Sequence, residues 1–118
     1  MFNEILKKYE RFSDGLILEL IYRSSLDKKK VEVLIKCMNK EIGYRWETIR
    51  MHFIDVVFFR FIENESFSST VINSALLNKE AGLITFDFFP LIFGDSKLEE
   101  NNNSDFIVKC KDVNFMVE

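Results

Sequence analysis

Few residues in this chain could do chemistry. His52 is the only histidine, so a general base is the one role it could fill alone, and no second histidine or Cys-His spacing makes a metal site. Asp55, in Phe53-Ile54-Asp55-Val56, and Asp87, in Thr85-Phe86-Asp87-Phe88-Phe89-Pro90, are carboxylates borne on strand-like segments. Held together they could work as an acid-base pair; apart they are a bulge residue and a solvent-face charge. The second reading is the one expected. The sequence contains no G-x-S-x-G, no G-x-x-x-x-G-K-[ST] and no G-x-G-x-x-G, and its 4 glycines leave no material for a phosphate-cradling loop. No catalytic residue, metal ligand or cofactor is expected.

Two groups are better suited to contact than to catalysis. Tyr44-Arg45-Trp46 combines the residue types that carry most binding energy at interfaces, with Arg50, His52 and Arg60 further along the same stretch; the competing role for Trp46 is a plug at the rim of the core. The segment from Asp95 to Asp105, with Asp95, Glu99, Glu100 and Asp105 around Asn101-Asn102-Asn103, has too little apolar area to order itself and reads as a mobile acidic loop. Its carboxylates could steer the chain onto a basic partner. Cys37 and Cys110 fall on the apolar parity of their strands, outside any C-x-x-C pair, and read as buried free thiols.

The elements that must position these groups are mostly strands. Trp46 to Ile62 organises the chain: Ile49, Met51 and Phe53 alternate with Thr48, Arg50 and His52, the pattern of a strand with one buried face. The alternation breaks at Ile54-Asp55-Val56-Val57, which predicts a bulge or turn, and beyond it both faces are apolar, as in a strand covered on both sides. Ahead of it, Phe2, Ile5, Leu6, Tyr9 and Phe12 lie at helical spacing up to Ser13-Asp14-Gly15. Strands follow from Gly15 to Arg23 and from Val31 to Met38, with turns at Ser24–Lys30 and Asn39–Tyr44. Val71 to Leu77 leans to strand, and Leu83 to Phe89 pairs back on the preceding segment as a hairpin that ends at Pro90. Phe106–Lys111 and Val113–Val117 close the chain. About seven strands and one N-terminal helix predict an α+β domain, mostly antiparallel β, with the helix packed on the sheet. The expected core is Leu18, Leu20, Val33, Ile35, Met51, Phe53, Phe58, Phe86, Phe88, Val108 and Phe115.

The bulk numbers agree with one soluble domain spanning 1–118: 47% hydrophobic and 30% charged residues, with 13 Phe to fill the interior. A net charge of -3 argues against binding nucleic acid through bulk charge, and Lys28-Lys29-Lys30 reads as a solvated hairpin end. The N-terminus has no apolar stretch of the secretory kind and no segment is long enough to span a bilayer, so a cytoplasmic protein without membrane association is expected.

The layout resembles small bacterial immunity proteins of contact-dependent and polymorphic toxin systems. The resemblance covers about residues 13 to 118: a Trp opening a central strand (Trp46-Glu47-Thr48-Ile49-Arg50-Met51-His52-Phe53), a Val-Phe-rich strand, Ile84-Thr85-Phe86-Asp87-Phe88-Phe89-Pro90 and a closing Ser104-Asp105-Phe106-Ile107-Val108-Lys109-Cys110. It implies a non-enzymatic, stoichiometric inhibitor of one toxin domain and carries over no binding residues. The candidate partner-binding residues are therefore those read from the chain itself, Tyr44, Arg45, Trp46, Asp95, Glu99, Glu100 and Asp105, facing a basic protein such as a nuclease. The alternatives are a small-molecule-binding or enzymatic domain using Asp55, Asp87 and His52, and a self-associating module that forms a homodimer.

Overall fold

The computed structural model describes residues 2–63, 70–94 and 97–118. A short helix, α1 (Phe2–Lys8), leads through a 3-10 turn (Glu10–Phe12) into β1 (Gly15–Ser24) and β2 (Lys29–Asn39). A second 3-10 turn (Lys40–Ile42) precedes β3 (Arg45–Phe61), followed by β4 (Val71–Ile72), β5 (Leu76–Glu80), β6 (Leu83–Asp87), β7 (Leu91–Phe93), β8 (Lys97–Glu99) and β9 (Phe106–Val117). Seven strands form one sheet in the order β4-β1-β2-β3-β9-β6-β5, every neighbouring pair antiparallel, and β7 and β8 make a separate hairpin. The expected antiparallel seven-stranded sheet is present. The helical part is slighter than expected, among the described residues one α-helix of 7 residues and two 3-10 turns, so the domain is mostly β.

The sheet has to curl. β4 and β5 are its two edges, yet only residues 73–75 separate them in sequence, a link that reaches about 14 Å at full extension. Laid flat, seven strands would hold their edges roughly 29 Å apart. The turn after α1 sits against the seam, where the Ala75 N–H donates to the Arg11 carbonyl at 2.7 Å. Inside the curl a run of phenylalanine rings crosses the core: Phe12 to Phe86 at 5.7 Å, Phe53 to Phe86 at 5.4 Å, Phe86 to Phe88 at 4.4 Å and Phe88 to Phe106 at 4.1 Å between centroids. That is the use the chain makes of its phenylalanine content.

Three departures from the sequence reading share a backbone cause. The helix expected to run to Phe12 stops at Lys8, because Glu10, Arg11 and Phe12 adopt left-handed φ values of 48°, 57° and 58°. Such a turn costs about 1–2 kcal/mol per residue, and it drives Phe12 into the middle of the core, where it is fully buried. Leu18, expected in the core, is exposed: the β1–β2 register slips between Ile17 and Glu19, which makes Leu18 the bulged residue. Phe58 is exposed for the same reason. The β3–β9 register slips between Val56 and Phe58, after Asp55 at φ 57°, so Phe59 and Phe61 turn toward the core and Val57 and Phe58 point away. The apparent two-sided apolarity of this stretch is thus a change of parity, which leaves Val57 and Phe58 about half-exposed. The expected bulge itself is present. The other nine expected core residues are buried or, like Leu20 and Phe115, packed partly buried against the core.

Candidate binding surface

The β7–β8 hairpin is held out from the main sheet by one buried carboxylate. Asp87 ends β6 with no solvent exposure; its Oδ1 accepts the Phe89 N–H at 3.0 Å and its Oδ2 the Asn101 N–H at 2.8 Å. Both stems of the hairpin are therefore pinned to a single side chain. Asn101 closes the ring by donating Nδ2 to the Phe89 carbonyl at 3.0 Å and accepting the Asn103 N–H at 2.9 Å. Desolvation pushes the Asp87 carboxyl above its ordinary value, the hydrogen bonds from Ser104, Asn101 and Phe89 pull it back, and nearby Glu100 adds to the rise. From the β3 side, Arg60 donates Nε to the Ser104 carbonyl at 2.8 Å and Nη2 to the Asn102 carbonyl at 2.9 Å. Glu100 pairs with Lys109 at 2.8 Å, and the Ile62 N–H reaches the Asp105 carbonyl at 2.7 Å.

These contacts correct the expectation of an unstructured acidic loop. Lys97–Glu99 is a strand, and 100–105 are tied by hydrogen bonds to Asp87, Arg60 and each other. Composition misses this because the ordering groups are backbone amides and carbonyls satisfied by side chains from elsewhere in the chain. Asp95 lies outside the described residues. Of the remaining carboxylates, Glu100 already has Lys109, and Glu99 lies 3.7 Å from Lys97, which spends much of their charge locally.

What the hairpin presents instead is apolar. Leu91, Ile92 and Phe93 are 42%, 47% and 49% exposed, so a strand with adjacent side chains on opposite faces is packed on neither. Among the described residues β8 is the only strand paired with it. Across the pairing, Glu99 stands opposite Leu91 and Lys97 opposite Phe93, giving a charged strand alongside an apolar one. Monomers seldom leave a run of large apolar side chains in water without use for it. The sequence reading placed nothing on these residues, although Leu91-Ile92-Phe93-Gly94 followed by Lys97-Leu98-Glu99 carries the spacing of a short hairpin.

Tyr44, Arg45 and Trp46 lie at the other end of β3, far from the hairpin that follows its Phe61 end through β9. The structure divides the candidate residues between two surfaces. Tyr44, at φ 61° after Gly43, donates its hydroxyl to Glu10 Oε1 at 2.8 Å, and that bond is the main cause of its raised pKa. Trp46 is half-exposed with the Lys36 ammonium 5.6 Å from its ring centroid. Beneath them, half-buried Glu47 accepts the Tyr9 hydroxyl at 3.2 Å and Asn39 Nδ2 at 2.6 Å. Arg50 is engaged by Glu118 at 2.7 Å, Glu19 at 3.0 Å and Glu32 at 3.4 Å. Arg50 and Arg60 are thus held by the chain's own groups.

His52, Asp55 and Asp87 do not converge. His52 Nδ1 is 3.6 Å from Glu32 on the outer sheet face, exposed Asp55 lines a concavity beside the β1–β2 turn, and Asp87 is sealed beneath the hairpin. Against β9, His52 pairs with Asn114 and Asp87 with Ile107, seven positions apart or roughly 23 Å along the strand. Cys37 and Cys110 are buried and free, as expected; desolvation raises both thiols, to about 12, with a contribution from Glu47, and to about 11 respectively. Among the described residues no cluster of His, Cys, Asp and Glu could hold a metal, and no helix is long and apolar enough to cross a membrane. Comparison of the chain with protein-family models, with curated proteins and with solved structures found no match.

Proposed function

We propose that the chain is a non-enzymatic cytoplasmic binding protein, of the immunity type that occludes a toxin domain, and that the β7–β8 hairpin is its docking element. The observation that carries this reading is Leu91-Ile92-Phe93, an apolar strand exposed on both faces and fixed at both stems by Asp87. A strand clamped this firmly gives up little further backbone entropy on association, which favours affinity. The apolar side chains would supply the buried centre of the contact and the flanking Glu99, Glu100 and Asp105 its polar rim. The overall charge of -3 is compatible with a basic partner such as a nuclease domain.

The test is coexpression with the toxin-like product of the neighbouring reading frame. Wild-type protein should rescue growth and co-purify with that product, and Phe93→Ser with Leu91→Ser should abolish both while leaving the melting temperature unchanged. Rescue undiminished in that double variant would remove the hairpin from the contact. Absence of both rescue and complex with the wild type would sink the immunity reading.

A further inference from the structure

A second surface, independent of the hairpin, lies at the β1–β2 turn. The turn is rigid: the Ser25 N–H and hydroxyl both donate to the Lys28 carbonyl, at 2.9 and 2.8 Å, and the Lys28 N–H returns to Ser25 Oγ at 3.2 Å. At its tip Leu26 is fully exposed, at 104%. A large aliphatic residue contributes nothing to such a turn, where small polar residues satisfy the backbone, so the fold does not account for it. Beside the tip, a concavity of about 440 Å³ between the turn and the β3 bulge is lined by Lys28, Lys29, Lys111, Asp27, Asp55 and half-exposed Val57.

The charges here make no ion pair among the described residues, unlike those of five basic residues elsewhere. Arg23, Lys40, Arg50, Lys97 and Lys109 each lie within 4.0 Å of a carboxylate. Among the described residues Lys28, Lys29, Lys30 and Lys111 make no such pair, and Asp27 and Asp55, though beside them, make none either. With Asp112 beside Lys111, four lysines against three aspartates leave this end slightly basic on a chain that is acidic overall. Leu26 stands fully exposed at the tip of the turn, with Lys28, Lys29 and Lys30 following it in the chain.

We propose that this apex docks on an anionic phospholipid surface, with Leu26 entering below the headgroups and Lys28, Lys29, Lys30 and Lys111 at the level of the phosphates. A bilayer is a plane that a protruding tip meets first, and it offers the two media in the order that this tip presents them. An acidic protein would need a cavity matched to Leu26. The expectation from sequence, a solvated hairpin end without membrane association, took account of the lysines but not of the leucine in front of them.

Co-sedimentation of the full chain with phosphatidylcholine vesicles, and with vesicles holding about a third phosphatidylserine, tests the proposal. Wild type should partition onto the anionic vesicles and not the neutral ones, and lose that binding at high salt. Leu26→Ser should weaken partitioning by about tenfold, and Lys28→Ala with Lys29→Ala by about 30-fold. All these residues are exposed, so each variant should melt with the wild type, and the Leu91→Ser, Phe93→Ser protein should bind vesicles normally, separating this surface from the hairpin. Equal partitioning on both vesicle types, or wild-type partitioning by Leu26→Ser, would overturn it. So would binding to heparin or a soluble acidic protein without binding to vesicles.

Discussion

Replacing Asp87 by Asn removes one charge and almost no volume, which makes it a sharp probe of the hairpin clamp. The carboxylate offers one oxygen to the Phe89 N–H and the other to the Asn101 N–H. An amide can satisfy only one of them and turns an NH2 donor against the other. A buried N–H left without an acceptor costs about 1–3 kcal/mol; relief of the desolvation that raises the Asp87 pKa offsets part of this. The net loss should be about 1–2 kcal/mol, or roughly 5 °C in melting temperature. The pH dependence carries the sign. Because the folded carboxyl titrates above its ordinary 3.8, its contribution is fully present below that value and is lost as pH rises through the folded pKa. The gap between wild type and Asp87→Asn should therefore be wider at pH 4 than at pH 7. Denaturant titrations at the two pH values measure it, and amide exchange should accelerate at Phe89 and Asn101 ahead of the core strands. A gap that widens toward pH 7 would refute the reasoning, since it would mean that folding lowers the Asp87 pKa instead of raising it.

Gly15 is held to its identity by space: a Cβ there would sit 2.8 Å from the Phe12 carbonyl oxygen, so Gly15→Ala should lower stability by about 1–3 kcal/mol, read from the denaturation midpoint. Ala81, by contrast, sits at φ 53° ahead of Gly82 at φ 77° in the β5–β6 turn, and Ala81→Gly should raise stability by up to about 1 kcal/mol. Phe86→Ala should cost about 3–5 kcal/mol and Phe58→Ala less than about 1 kcal/mol; equal losses would show that the β3 bulge has been misplaced. Native protein should leave Cys37 and Cys110 unmodified by a thiol reagent at pH 8, both reacting once it is unfolded. Since their folded pKa values are raised from 9.0 to about 12 and about 11, stability should fall as pH climbs above about 9 through those values.

Much of the sheet could be read in the sequence, because it rests on period-two alternation: β2 and the first half of β3, and the β5–β6 hairpin, follow from Val33, Ile35, Met51, Phe53, Leu77 and Phe86 alone. What escaped depends on single residues whose backbone departs from the common regions. One bulged residue reverses the faces of everything beyond it, which is why Leu18 and Phe58 changed sides. The left-handed turn at Glu10, Arg11 and Phe12 contains no glycine to announce it. β9 looked like two strands because Lys111 and Asp112 interrupt its pattern, yet both are exposed and the pairing with β3 continues past them. Of the candidate site, the acidic residues were legible and the apolar strand they flank was not.

That strand bears on how the acidic residues work. Judged by composition, Glu99 and Glu100 are free charge offered to a partner. In the fold Glu100 lies 2.8 Å from Lys109, and Glu99 faces Leu91 across the hairpin. A carboxylate that already has an ammonium partner contributes little to long-range steering. If the hairpin is the docking element, neutralising Glu99, Glu100 and Asp105 should change the association rate and its salt dependence only slightly, whereas shortening Phe93 and Leu91 should act on dissociation, the usual seat of affinity differences within one interface. Kinetics on the same partner at low and high salt separate the two. A steep loss of association rate in the charge-neutral variant at low salt would return the dominant role to the carboxylates.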